Sequence, residues 1–159
     1  MNTLIEKDLK HIWHPCTQMK EFESFPPIVV HSAKGSYLNT CHGKIIDAIS
    51  SWWCKSLGHG HPEVISALQQ QLAHFEHVIG ANTTYPALAA LGEKLAQISQ
   101  KQHVFFASDG ASAVEIALKL ALHAKQLQGE SHRRDFIALK NSYHGETLGT
   151  LSISDLGLY

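Results

Sequence analysis

His103-Val104-Phe105-Phe106-Ala107-Ser108-Asp109-Gly110-Ala111-Ser112-Ala113-Val114-Glu115 changes character in mid-stretch. The first five residues are mostly apolar and read as a short buried strand. Small residues follow and turn the chain. From Ser112 to about Gln126 the apolar residues recur at helical spacing. A strand that passes through such a turn into a helix leaves the N–H groups of the first helical turn pointing outward. The helix dipole favours an anion there. Gly110 and Ala111 let a phosphate approach the backbone closely. The hydroxyls of Ser108 and Ser112 offer further donors, and Asp109 offers a helix cap. Ser-Asp-Gly before a helix is also a good N-cap and turn with no ligand at all. The stretch is neither a Walker loop, since no Gly-Lys-Ser/Thr follows, nor a Gly-x-Gly-x-x-Gly fingerprint.

Downstream, Gly129 lies in a loop and Phe136-Ile137-Ala138-Leu139 is the next strand. Strand, helix and strand make a βαβ unit, hence a parallel sheet with helices on its faces. The second strand runs into Lys140-Asn141-Ser142-Tyr143-His144-Gly145-Glu146-Thr147. Open α/β sheets bind ligands at the carboxyl ends of their strands. Tyr143 there suits stacking on a planar ring, and equally an ordinary loop position.

Upstream, Pro62 and Pro86 each stand where a helix begins. The first helix places Val64, Ile65, Leu68, Leu72 and Phe75 on one face; the second carries Leu88, Leu91, Leu95 and Ile98, with Thr83 or Thr84 as its cap. Before them, Ile28–His31, Ser36–Asn39 and Ile45–Ala48 read as a β-meander, with turns at Ala33–Gly35 and Cys41–Lys44. Residues 1–27 are irregular apart from a short helix bearing Leu4, Leu9, Ile12 and Trp13. Ser50-Ser51-Trp52-Trp53-Cys54 reads as a strand whose adjacent tryptophans point to opposite faces. Either one of them lines an apolar ligand pocket, or both are packing residues.

The 159 residues carry 44% hydrophobic and 17% charged side chains with a formal net charge of −1. That is a globular composition, and it gives no electrostatic reason to propose nucleic acid or an anionic membrane as a partner. No basic start with a long apolar run marks a secretory leader, and no stretch approaches the roughly 18 apolar residues of a membrane span. Cys16, Cys41 and Cys54 do not make a disulfide framework; a cytoplasmic setting is expected. Of the twelve histidines, His59/His61 and His74/His77 are closest to metal spacing. Neither pair has a Cys-x-x-Cys or a nearby carboxylate to complete a site, so no metal is expected.

Taken together, the segments resemble the class III (ornithine/GABA-type) aminotransferases, which use pyridoxal 5'-phosphate (PLP). The carriers are Ser108–Lys119, Tyr143-His144-Gly145-Glu146-Thr147, Gly58-His59-Gly60-His61-Pro62, Ser50-Ser51-Trp52-Trp53 and His11-Ile12-Trp13-His14-Pro15-Cys16-Thr17-Gln18-Met19. The last two resemble the branch of that class that works in biotin synthesis. The resemblance implies an α/β chain, the N-terminal part of a PLP-dependent transferase of fold type I, with a β-meander and then the start of the large-domain α/β sheet. Residues 1–50 would belong to the small domain and 51–159 to an incomplete large domain. Gly110 and Ala111 would hold the PLP phosphate. Tyr143 would lie against the ring and near substrate, and Trp52 and Trp53 would border the substrate pocket. The reaction implied is amino transfer from S-adenosylmethionine to 8-amino-7-oxononanoate, giving 7,8-diaminononanoate, in a homodimer.

Two residues depart from the pattern. Ala111 stands where members often have Ser, and Cys16 where many have Tyr. The resemblance also places the Schiff-base lysine, the aspartate that pairs with the pyridine nitrogen and a carboxylate-binding arginine beyond these residues. No catalytic residue is therefore assigned, and this chain alone is expected to be inactive. The alternatives are another class III ω-amino-acid aminotransferase, a non-catalytic truncated remnant, or a small phosphate-binding α/β domain. The last is disfavoured because a parallel sheet needs both faces covered.

Overall fold

A computed structural model describes residues 2–155 and Gly157. They fall into two compact units divided after Ala81.

In the first unit, helix α1 (Asn2–His11) and a 3-10 turn (Met19–Glu23) precede an antiparallel meander. Its strands are β1 (Val30–Lys34), β2 (Tyr37–Thr40) and β3 (Gly43–Ile46), in the order β1-β2-β3. The meander is the expected one, its strand boundaries moved by one to three residues because the turns are tighter. Lys34 pairs with Tyr37 across Gly35-Ser36, and Thr40 with Gly43 across Cys41-His42. Buried Thr40 fixes the second turn: its Oγ1 donates to the Gly43 carbonyl and accepts from the His42 N–H. Lys44 lays its ammonium 3.9 Å over the Tyr37 ring. Next come a single turn, α2 (Ser50–Trp53), and α3 (Pro62–Leu72).

The second unit holds α4 (Pro86–Ser99), α5 (Gly110–Leu127) and α6 (Leu148–Ser152). Proline occupies the first turn of both α3 and α4, where its missing N–H costs nothing.

Three expectations are corrected. Ser50–Cys54 is not a strand: residues 50–53 all have positive φ and coil into one left-handed turn. The N-cap of α4 is Tyr85, not Thr83 or Thr84, and the Tyr85 side chain makes no cap bond. Residues 103–107 and 136–139 join no ladder among the described residues. A strand is defined by its partner, and no neighbouring strand pairs with either segment here. Phe105, Ile137 and Leu139 are correspondingly exposed. No apolar side chain among the described residues is fully buried, and Leu68, Leu72, Leu91 and Ile98 leave the helix faces open.

Candidate active site

Helix α5 begins where the sequence places an anion cradle. Asp109 is extended (φ −159°, ψ 173°) and is the N-cap. Its Oδ1 accepts the Ser112 N–H at 2.8 Å, and its Oδ2 accepts the hydroxyls of Ser112 at 2.8 Å and Ser108 at 2.9 Å. These bonds, the Ser112 N–H foremost, hold the carboxyl below the usual carboxylate range. The cap is the expected one. The two hydroxyls, expected as donors to an anion, are instead directed at Asp109, because a carboxylate one and three residues away is the nearest strong acceptor. The first helical N–H groups, at Gly110 and Ala111, have no acceptor within the helix; that of Ala111 also faces the Asp109 carboxylate, which leaves the Gly110 N–H the freer of the two toward an anion. A Cβ built on Gly110 would meet nothing within 4 Å. The space over this backbone is open, as close approach of a phosphate requires, and to that extent the residues fit one.

The Tyr143 loop packs onto this cradle. Gly145 is buried, with φ +121°, and a Cβ on it would stand 2.5 Å from the Ala111 Cβ and 2.9 Å from its Cα. Glycine is required here by contact as well as by φ. On either side of Tyr143 the loop is tied to the segment after α6. The Asn141 N–H donates to Asp155 Oδ2, the Asp155 N–H to the Ser142 carbonyl, and the His144 N–H to the Ser154 hydroxyl. The Tyr143 ring itself is 56% exposed. Gly110, Ala111 and Tyr143 thus lie in one unit, on segments in direct contact.

Four residues here were given no role from the sequence. Glu115, on α5, accepts the Gly149 N–H at 2.9 Å. The Thr147 hydroxyl first, and then the Gly149 N–H, lower its pKa. Thr150 is wholly buried behind them, bonded to the Thr147 hydroxyl at 2.9 Å and donating to the Thr147 carbonyl. The spacing of Gly145 and Gly149 around Thr147 was the only sequence signal.

Trp52 and Trp53 belong to the other unit. Their rings meet edge to face, centroids 5.3 Å apart, and are 60% and 75% exposed. The left-handed turn that carries them is held by Asp47, just past β3. The Asp47 carboxylate accepts the Ser51 N–H at 3.0 Å, the Ser51 hydroxyl at 2.7 Å and His59 Nε2 at 2.7 Å. The Ser51 N–H, then His59, brings its pKa down to about 2. His59 is anchored in turn, exchanging two backbone hydrogen bonds with Gly35. A polar hollow of about 280 Å³ lies beside this clasp, lined by Asp47, Ser50, Lys55 and His59, among others, and by neither tryptophan. Cys16 is exposed, in a left-handed backbone conformation (φ 51°). Among the described residues, no three His, Cys, Asp or Glu side chains gather as a metal site requires, and no helix is long and apolar enough to cross a membrane.

The aminotransferase class-III family matches residues 18–157. The chain is 41% identical to the adenosylmethionine-8-amino-7-oxononanoate aminotransferase of Helicobacter pylori, over 96% of its own length and 35% of that protein. It is 38% identical to the enzyme of the same name from Saccharomyces cerevisiae, over 96% and 33%. The crystal structure of the Methanocaldococcus jannaschii protein of that name superposes with a TM-score of 0.90 at 37% identity, over 96% of this chain and 36% of that one. An (S)-enantioselective omega-transaminase from Thermomicrobium roseum superposes with a TM-score of 0.88 at 26% identity, over 98% and 36%. The chain spans about a third of the length of these relatives.

Proposed function

Since the chain belongs to the class III aminotransferase family, we propose that it supplies the cofactor-phosphate cradle and part of the acceptor pocket of an enzyme that moves an amino group from S-adenosylmethionine to 8-amino-7-oxononanoate. The family is PLP-dependent, and the fold is the N-terminal part of PLP-dependent transferase fold type I. When bound, PLP supplies an electron sink for the carbon that exchanges the amino group.

The chain's own residues orient and bind. Gly110 and Ala111 hold the phosphate through backbone N–H groups, and Tyr143 lies against the ring. Trp52 and Trp53 border the apolar chain of the acceptor. None of the lysines among these residues is assigned the covalent bond to the cofactor. Residues 1–50 belong to a small domain and 51–159 to the large one. The working protein is a cytoplasmic homodimer. One observation carries the reading: the seating of Gly145 on Ala111, which supports a phosphate site and an aromatic platform built as one piece.

Two measurements test it. Gly110→Ala has room for its methyl, so thermal stability should hold while PLP affinity falls; unchanged affinity would count against the cradle. In the full gene product, Trp52→Ala should raise KM for 8-amino-7-oxononanoate. Turnover of γ-aminobutyrate or ornithine in place of that substrate would move the protein to an ω-amino-acid branch.

A further inference from the structure

We propose that Glu115 is a positioning residue: from the helix that carries the cradle it holds the loop that carries Tyr143, and so fixes where the aromatic ring stands against the cofactor plane. The inference rests on the reading of Gly110, Ala111 and Tyr143 given above.

Helix α6 is five residues long, too short to persist by its own hydrogen bonds. Its N-cap, Thr147, makes no side-chain cap bond to the helix. The acceptor for the exposed N-terminal N–H groups comes instead from another element. Glu115, one turn into α5, takes the Gly149 N–H at 2.9 Å. A carboxylate suits the task because it accepts several donors at once, and charge strengthens each bond. Lys119, four residues further along α5, favours the charged form. The fit is close: a Cβ on Gly149 would stand 2.7 Å from the Glu115 Cδ and would push the carboxylate aside.

This clasp and the Gly145–Ala111 contact lie on either side of Thr147, and both end on α5, four residues apart. The loop holding Tyr143 is tied at its far side to Ser154 and Asp155, beyond α6. Release of α6 from Glu115 therefore loosens Tyr143 at both ends. It leaves Asp109, Gly110 and Ala111, and so the phosphate end, as they were.

The test uses the full gene product, with PLP and inorganic phosphate as probes. Glu115→Ala should weaken PLP binding roughly tenfold, the loss of hydrogen bonds to a charged group. At saturation the circular dichroism of the bound cofactor should differ from wild type. Inorganic phosphate, measured as a competitor, should bind as in wild type. Glu115→Gln, which keeps one acceptor oxygen, should fall between. Gly149→Ala, whose methyl would displace the Glu115 carboxylate, should shift affinity and dichroism in the same direction, and together with Glu115→Gln it decides the matter if Glu115→Ala does not fold. Wild-type affinity and dichroism in these variants would overturn the inference. So would an equal loss for PLP and phosphate, since Glu115 would then merely support the helix. A wild-type protein that binds neither probe overturns the parent reading and this one with it; wild-type binding with unaffected variants overturns this one alone.

Discussion

The tryptophan turn and the α5 cradle are each organised by an aspartate that gathers N–H and hydroxyl donors, yet the two carboxylates do opposite work. Asp109 caps a right-handed helix of 18 residues, a conformation the chain favours already. Asp47 holds four consecutive left-handed residues, none of them glycine or asparagine. Such residues cost about 1–2 kcal/mol each relative to the right-handed form. One aspartate refines a structure that local propensity provides. The other imposes a structure that propensity opposes, and it needs His59 and the Gly35 bridge behind it. Strained backbone of this kind persists only where its surroundings over-determine it, and here it turns two large rings outward in adjacent positions.

The largest expected effect falls on the cradle side, where contact rather than capping governs. Gly145→Ala forces a methyl against Ala111. Overpacking of this kind costs about 1–3 kcal/mol, and the positive φ adds roughly as much again. Gly35→Ala in the first unit is the control, since its φ is also positive (58°) but no atom lies within 4 Å of the new methyl. Denaturant midpoints should fall clearly further for Gly145→Ala. Equal losses would mean that conformation alone, and not the seating on Ala111, requires the glycine.

Next in size is Asp47→Ala. Without the carboxylate the turn loses the acceptor for both Ser51 donors and for His59, and the left-handed residues relax. Two of the three tryptophans lie on this turn, so intrinsic fluorescence should change strongly while the meander persists. Acid should mimic the substitution. The Asp47 pKa is lowered from 3.8 to about 2 in the folded chain, so its contribution is full above about pH 4 and lost as pH falls through about 2. A tryptophan signal that is flat across that window and insensitive to Asp47→Ala would remove the clasp from the account.

What could be read from sequence follows the range of the interactions. The Asp109 cap was legible because its partners, Ser108 and Ser112, lie one and three residues away and Ser-Asp-Gly is a local signal. The meander was legible from its alternation and turn residues. The left-handed turn was not, because Ser-Ser-Trp-Trp contains nothing that prefers positive φ. Its cause is a carboxylate before the turn and a histidine after it. Glu115 was quoted as part of the helix but given no role, since its partner Gly149 lies 34 residues on. Residues 103–107 and 136–139 have strand composition, but composition does not supply the neighbour that makes a strand, and none pairs with them here.

The smallest effect should come from the substitution that separates the two aspartates most cleanly. Asparagine caps a helix about as well as aspartate. Asp109→Asn can keep the Ser112 N–H through its carbonyl oxygen, so the melting temperature should hold nearly constant. Asp47→Asn, by contrast, gives up charge-assisted acceptance at three donors in a turn with no propensity to fall back on, and it should approach the alanine variant. At Asp109 the loss of charge has a second consequence. The carboxylate stands next to the N–H groups proposed to hold a phosphate, and like charges repel there. Asp109→Asn should therefore raise affinity for inorganic phosphate modestly, and more at low salt than at high, where screening over about 10 Å already weakens the repulsion. A fall in phosphate affinity would show that Asp109 serves the anion by ordering Ser108 and Ser112. The cradle would then be imposed by its aspartate, as the tryptophan turn is.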